Sequence, residues 1–279
     1  MTELETELLD KIHNISLGIL LVFDKVCREN GLTYFLDSGT ALGAVRHGGF
    51  IPWDDDIDVG MPRKDYERFL EIAQAQLPEE IFLQTHETDP AYERGAAKLR
   101  LKGTIFQEYN DLPYKENGFF IDIFPFDNVP HNKFAAKIYI ITLGWICRVV
   151  NSWYSRKESQ SKFKRAFQLA IKIVPKSCID FLYKKHEKYC RKYENRETGY
   201  MTCHFWGMTF IDGNTYIFDK KRMLPVKEIS FEGYNLKIVR EPDYYLSLMY
   251  GDYMQLPPEE KRHGHHVQGK IEFWKCNDI

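Results

Sequence analysis

The sequence predicts an α/β fold of the α+β kind: a mixed β-sheet core with flanking helices and a helical insertion. Three observations carry this expectation. Helical and strand-like apolar patterns alternate over residues 1–131. From Asn132 to about Tyr193 the pattern is helical, broken near Pro175. Short β-prone runs return after Gly199. With 279 residues and 44% apolar content, the chain has the material for a substantial core. The expected parts are a core over 1–131, a basic helical insertion over 132–196, and a C-terminal part over 197–279 that completes the core and the substrate site.

Each element follows from its local pattern. Residues 1–30 read as a helix, with Leu9, Ile12, Ile15, Ile19, Leu20 and Phe23 on one face. Thr33–Leu36 is β-prone. Thr40–His47 reads as a helix with Thr40 as its N-cap. Ile57–Met61 is a strand, and Pro62 then opens a helix that buries Tyr66, Phe69, Leu70 and Ala73. Phe82–Thr85, Ala97–Leu101 and Ile105–Tyr109 alternate as strands, and Gly118–Phe124 is apolar enough for a buried one. Asn151–Ser161 reads as a polar connection between helices. Residues 230–238 form a hairpin turning at Glu232-Gly233, and Pro242–Tyr250 a helix that Gly251 ends.

Charge and composition narrow the classes. The net charge of −2 creates no field directed at nucleic acid. It is unevenly spread, because Arg156–Arg196 holds 13 Lys/Arg against 4 Asp/Glu. That segment follows an apolar run, Ile138–Val150, too short to span a bilayer. A buried helix is the first reading of this run, and a helix lying on a membrane surface is the alternative that the following basic segment supports. The six cysteines include no CxxC pair, so reduced thiols are expected. The N-terminus opens acidic and amphipathic, so no secretory leader is expected. The expected location is the cytoplasm, with contact at the inner face of the membrane.

The chemistry is concentrated in LDSGTALGAVRHGGFIPWDDDIDV, residues 36–59. Four carboxylates stand within five positions, Asp54 to Asp58, and like charges this close repel. A divalent cation relieves that repulsion, and oxygen-only ligands favour Mg²⁺ or Mn²⁺. In an extended segment Asp56 and Asp58 share one face while Ile57 and Val59 take the other. Asp122, inside the apolar run FFIDIFP, is costly to bury alone. A neighbouring strand that set it beside Asp56 and Asp58 would complete a metal triad. Asp127, beyond Pro125, is the weaker candidate. Ser38-Gly39 offers a tight turn whose N–H groups suit a phosphate.

The stretch GTALGAVRHGGFIPWDDDIDVGMPR, together with YGDYMQLPPEEKRHGHH near the C-terminus, resembles the LicD family, which adds phosphocholine to bacterial surface glycans and is related to the fukutin-type ribitol-phosphate transferases. The resemblance implies a nucleotidyltransferase-like core in which a Gly-Ser-type turn, an Asp-x-Asp strand and a third acid fall on Ser38-Gly39, Asp56 with Asp58, and Asp122. It is weakest from Lys133 to Arg196. It implies transfer of phosphocholine from CDP-choline, or a related CDP-alcohol, to a hydroxyl of a teichoic-acid or lipopolysaccharide-type sugar. The acceptor is expected to be an N-acetylhexosamine, free or lipid-linked, and CMP leaves.

The catalytic and metal expectation is therefore Asp56, Asp58 and Asp122, with Asp122 also the candidate base. The donor-binding expectation adds Ser38, Gly39, Thr40, Arg46, His47, Lys98, Arg100, Lys261, Arg262, His265 and His266. Trp53 is the first candidate for the aromatic cage that a quaternary ammonium requires, ahead of Tyr109, Trp206 and Tyr253. Two other classes compete. One is a nucleotidyltransferase that consumes an NTP and releases pyrophosphate. The other is a non-enzymatic protein that binds polyanions through the basic segment. Ethanolamine, glycerol or ribitol remain alternatives to choline.

Overall fold

The computed structural model describes residues 3–92, 95–108, 114–154, 161–203, 216–264 and 270–273. Helix α1 (Glu3–Glu29) buries Ile12, Ile19, Leu20, Phe23, Val26 and Cys27. The next elements are β1 (Phe35–Leu36), α2 (Ser38–Arg46), β2 (Asp58–Pro62), α3 (Arg63–Gln76), β3 (Ile81–Gln84), β4 (Ala97–Leu101), β5 (Ile105–Phe106) and β6 (Phe120–Val129). Three helices follow: α4 (Lys133–Tyr154), α5 (Lys162–Lys172) and α6 (Lys176–Cys190). The chain returns through β7 (Tyr200–Cys203), β8 (Phe218–Asp219), α7 (Lys220–Met223), the β9 (Lys227–Phe231) and β10 (Tyr234–Ile238) hairpin, α8 (Pro242–Tyr250) and β11 (Ile271–Glu272).

A seven-stranded mixed sheet runs β1-β2-β6-β4-β3, with β7 and β8 added beside the far half of β6. The β2–β6 pair is parallel and the other pairs are antiparallel. Strand β6 is the spine. One of its edges pairs with β2, while the other pairs with β4 up to Ile123 and with β7 from Phe126. It runs past Phe124, where the sequence pattern ends the strand. Pro125 sits where that second edge passes from β4 to β7, so its missing N–H costs no ladder bond there. Asp127 is therefore a strand residue.

Opposite faces of the sheet do different things. Val59 and Met61 of β2 and Ile121 and Ile123 of β6 are fully buried on one face. Arg63, at the start of α3, reaches Asp127 on that side. The other face carries Asp58, Gly60, Asp122 and Phe126, and a chain of rings closes part of it. Phe35 meets Phe126 at 4.9 Å, Phe126 meets Phe218 at 6.0 Å, and Phe218 meets Tyr245 of α8 at 5.1 Å. Gly60 makes this packing possible, since a Cβ there would fall 2.4 Å from the Phe35 ring and 2.7 Å from that of Phe126. Gly60→Ala is expected to cost about 1–3 kcal/mol from overpacking, read as a lower urea midpoint at unchanged m-value.

The expected hairpin is present, with Phe231 opposite Tyr234. Glu232 and Gly233 both have positive φ, 49° and 80°, as a two-residue I′ turn requires. Glu232 holds its uncommon conformation because its carboxylate accepts the Phe50 N–H at 2.9 Å and its own N–H donates to the Gly48 carbonyl at 3.0 Å. The hairpin thereby fixes the loop leading into the acidic run.

Two expectations about helix ends are corrected. Helix α2 begins at Ser38, not Thr40, and Asp37 is its N-cap, accepting from the Ser38 N–H at 2.9 Å. Helix α4 continues to Tyr154, so Asn151 to Tyr154 are helical rather than part of a connection. Helices α4 to α6 enclose a small apolar cluster of their own around Val150, Ile171 and Ile179. The lobe is attached to β6 through Val129, Ala136 and Ile140.

Candidate active site

The site is assembled on one row across three strands. Parallel pairing of β2 with β6 sets Asp58 beside Asp122, and antiparallel pairing of β6 with β4 sets Asp122 beside Lys98. Asp58 and Asp122, 64 positions apart in the chain, thus become side-by-side groups on one face. The backbone is tied there on both sides. The Asp122 N–H donates to the Ile57 carbonyl at 2.8 Å, and the Asp37 N–H donates to the Asp58 carbonyl at 2.9 Å. The Thr40 hydroxyl accepts the Asp58 N–H at 2.8 Å. Thr40 therefore positions an acid.

The acidic run precedes β2 as a loop. One carboxylate oxygen from each of Asp54, Asp55 and Asp56 lies within 4.8 Å of the others. Gly39 allows Asp54 this position, because a Cβ there would fall 2.6 Å from Asp54 Oδ2. From the other side His13 of α1 meets the Asp54 carbonyl at 2.6 Å. A carbonyl only accepts, so His13 carries its proton on Nε2. Its ring stacks on Phe50 at 3.9 Å.

The electrostatics are those of an under-compensated anionic pocket. Burial, then Asp56, Asp122, Asp37 and Asp54, push the Asp58 carboxyl well above the usual carboxylate range. Burial also raises Asp122, against the pull of Lys98. Asp37 is fully buried and pushed up to about 7 by that burial, against hydrogen bonds from Tyr245 and the Ser38 N–H. Its second oxygen, Oδ2, has no hydrogen-bond partner among the described residues. An oxygen-only donor set in which clustered carboxylates raise one another's proton affinity fits a hard divalent cation such as Mg²⁺ or Mn²⁺.

Lys98 and Arg100 are not an open rail for a diphosphate. Lys98 is buried and bridges Asp122 at 3.0 Å and Glu108 at 2.6 Å, its ammonium 3.4 Å from the centre of the Phe120 ring. Arg100 is 1% exposed and engages Glu108, Gln84 and the Gly118 carbonyl. Burial alone would raise the Glu108 carboxyl, but Lys98 and Arg100 hold it down at about 2. This alternating cation–carboxylate network fixes where Asp122 points. Glu108 carries no motif signal, and its role follows only from its meeting with Lys98.

A basic and aromatic cluster gathers at Trp53, the residue before the acidic run. Arg46 donates to the Tyr253 carbonyl at 2.9 Å and lies beside His47 at 3.0 Å. The Arg262 guanidinium rides over the Trp53 ring at 5.6 Å, and His47 meets the same ring edge-on at 6.2 Å. Burial and then Arg262 lower the Arg46 pKa, as two guanidinium groups close together require. Gly264 lies against Asp55 and the Trp53 carbonyl. The structure thus brings Arg46, His47, Trp53 and Arg262 together, although 216 positions separate the first and last. The Lys261 side chain, His265, His266, Tyr109 and Trp206 lie outside the described residues. Tyr253 points its hydroxyl at Asp243.

Sequence reasoning missed Asp37 and Tyr245 as well as Glu108. Tyr245 donates to Asp37 and so docks α8 on the start of α2. At the opposite end of β2 and β6 lies a separate cleft of about 680 Å³, lined by Lys64, Asn128, Glu194 and Lys220 among others. It contains none of the acids described above.

Comparison with known proteins identifies the family of the chain. The family model of the LicD/FKTN/FKRP nucleotidyltransferase domain matches residues 31–146, the span that holds Asp54 to Asp58, Lys98 and Asp122. The chain is 30% identical over 262 residues to the lipopolysaccharide cholinephosphotransferase LicD of Haemophilus influenzae, covering 91% of this chain and 94% of that protein. It is 51% identical over 40 residues to the human ribitol 5-phosphate transferase FKRP, which is 14% of this chain and 8% of that one. A Rickettsia typhi protein of uncharacterized function is 50% identical over 44 residues, 16% of this chain and 14% of that protein.

Proposed function

The chain belongs to the LicD family of phosphotransferases, and we propose that it transfers phosphocholine from CDP-choline to a sugar hydroxyl of a cell-surface glycan precursor, with release of CMP. The pairing of Asp58 with Asp122 next to the acidic loop Asp54–Asp56, with Arg46 and Arg262 gathered near Trp53 just before that loop, carries the reading. A diphosphate bridged to acids by a cation is the ligand whose charge satisfies both halves of such a site.

Asp56, Asp58 and Asp122 would hold Mg²⁺ or Mn²⁺, with Asp54 and Asp55 close enough to share the load. When bound, such a cation neutralises the diphosphate and stabilises the charge that develops on departing CMP. Arg46 and Arg262 bind phosphate oxygens and orient the donor for in-line attack. The face of Trp53 already accommodates a guanidinium, so it suits the choline trimethylammonium as Arg262 turns to phosphate. Asp122, kept in place by Lys98, takes the proton of the attacking hydroxyl. Burial raises its proton affinity, which favours that role. The oxygen of the sugar bonds to the phosphorus that bears choline, and the bond from that phosphorus to the CMP oxygen breaks.

The test incubates the protein with Mg²⁺ and a panel of CDP-alcohols, CTP and UTP, and quantifies CMP and pyrophosphate. CMP from CDP-choline, lost on EDTA treatment and in Asp56→Ala, is the expected result. CMP from CDP-ethanolamine, CDP-glycerol or CDP-ribitol in its place would change the alcohol and keep the reaction. Pyrophosphate from an NTP would replace this reading by nucleotidyl transfer.

A further inference from the structure

Helix α4 has two apolar stripes, and only one of them faces protein. Ala136, Ile140, Leu143, Cys147 and Val150 are buried against β6 and the lobe. Phe134, Ile138, Ile141 and Trp145 recur at the same helical spacing on a second face. Phe134 is 74% exposed, Ile138 50% and Trp145 45%. The neighbouring helices add Leu169 at 58%, Ile173 at 84% and Phe181 at 59%. An exposed apolar set of this size on one lobe marks a contact surface.

The charge around it says what kind of surface. Residues 133–192 contain 15 Lys/Arg against 3 Asp/Glu. Cations accompany the exposed rings, with Arg148 over Trp145 at 5.5 Å and Lys185 over Phe181 at 5.4 Å. A second copy of the same lobe would meet this surface with the same sign of charge and be repelled. Anionic lipid headgroups meet it with the opposite sign, while the acyl boundary accepts the rings. The run expected to be too short to span lies in a helix of 22 residues that is long and apolar enough to cross a membrane by length and composition. Ala136, Ile140 and Val150, however, pack against β6 and the lobe, contacts that a helix lying in the interface keeps and a spanning helix would give up.

We propose that the α4–α6 lobe docks the protein on an anionic bilayer, with α4 in the plane of the interface and Phe134, Ile138 and Trp145 inserted below the headgroups. The docking itself does not depend on which group is transferred.

The experiment is vesicle flotation with the full-length protein, using phosphatidylcholine alone and phosphatidylcholine mixed with phosphatidylglycerol. Binding to the mixed vesicles, weakened by salt, is expected. Ile138→Glu with Trp145→Glu should reduce it by about tenfold or more, with an unchanged circular dichroism spectrum and unchanged CMP release in solution. Ser230→Glu with Tyr234→Glu, the same added charge on the hairpin, should leave binding intact. No binding to anionic vesicles, or equal binding by the stripe variant, overturns the proposal. So does self-association of the parent protein that the stripe variant abolishes in the absence of vesicle binding. CMP release is read in parallel, so failure of the transferase reading would remain separate from failure of docking.

Discussion

Asp58→Asn is expected to abolish transfer while leaving the metal-free protein as stable as its parent or more so. The two effects share one cause. Asp58 is held among Asp37, Asp54, Asp56 and Asp122, and burial together with these neighbours drives its carboxyl well above the usual range. Removing that charge relieves repulsion in the folded chain, because the unfolded chain holds it at no such cost. The amide keeps the backbone bonds to Thr40 and Asp37, since neither uses the side chain. Gains from relief of such strain at functional sites are typically on the order of 1 kcal/mol, about 2–4 °C in Tm for a chain of this class. The loss of a carboxylate proposed to hold the cation that neutralises the diphosphate is expected to be far larger. Several kcal/mol of transition-state stabilisation is at stake, which is about a thousandfold in kcat. Calorimetry with and without Mg²⁺ checks the first part and CMP release the second. A stability loss of several degrees in the absence of metal would show that the acids are satisfied by the fold itself, and would remove the argument for a cation.

The largest stability effect is expected on the other face of the sheet. Arg63 and Asp127 form a two-pronged pair, at 2.7 and 2.8 Å, with Arg63 at 6% and Asp127 at 1% exposure. Asp127→Ala leaves a buried guanidinium unpaired, and breaking such a pair costs about 3–5 kcal/mol. That corresponds to a fall in Tm on the order of 10 °C. Replacing both partners by apolar residues, Arg63→Met with Asp127→Leu, is expected to restore most of the loss, because no stranded charge remains. The urea midpoints of the three proteins measure this. CMP release by the folded fraction should be unchanged, since Asp127 and Asp122 lie on opposite faces of β6. A loss below about 1 kcal/mol in Asp127→Ala would mean that water reaches the guanidinium.

Asp127 also shows how a local reading goes astray. Proline normally ends a strand assignment, so the sequence ranks Asp127, beyond Pro125, as the weaker candidate for the site. It is outside the site for a different reason: it points to the opposite face. Pro125 is tolerated only because one edge of β6 changes partner at that point, and no local pattern encodes where a distant strand stops.

The elements legible from sequence alone are those fixed by local periodicity. The amphipathic face of α1, the two-residue turn at Glu232-Gly233 and the alternation that turns Val59 inward and Asp58 outward are properties of a few consecutive residues. The acidic run was legible as well, because the repulsion among Asp54, Asp55, Asp56 and Asp58 is written into their spacing. Tertiary structure decided which groups would meet. Asp122 stands beside Asp58 because β2 and β6 pair in parallel with that register. Lys98 and Arg100 clamp Glu108 and Asp122 because β4 runs antiparallel to β6, and Arg262 returns to Trp53 from the far end of the chain. The second apolar stripe of α4 reads from sequence as core. Only the packing of α4 through its other stripe leaves it facing outward. Periodicity states that a helix has an apolar face, and the arrangement of its neighbours decides whether protein covers it.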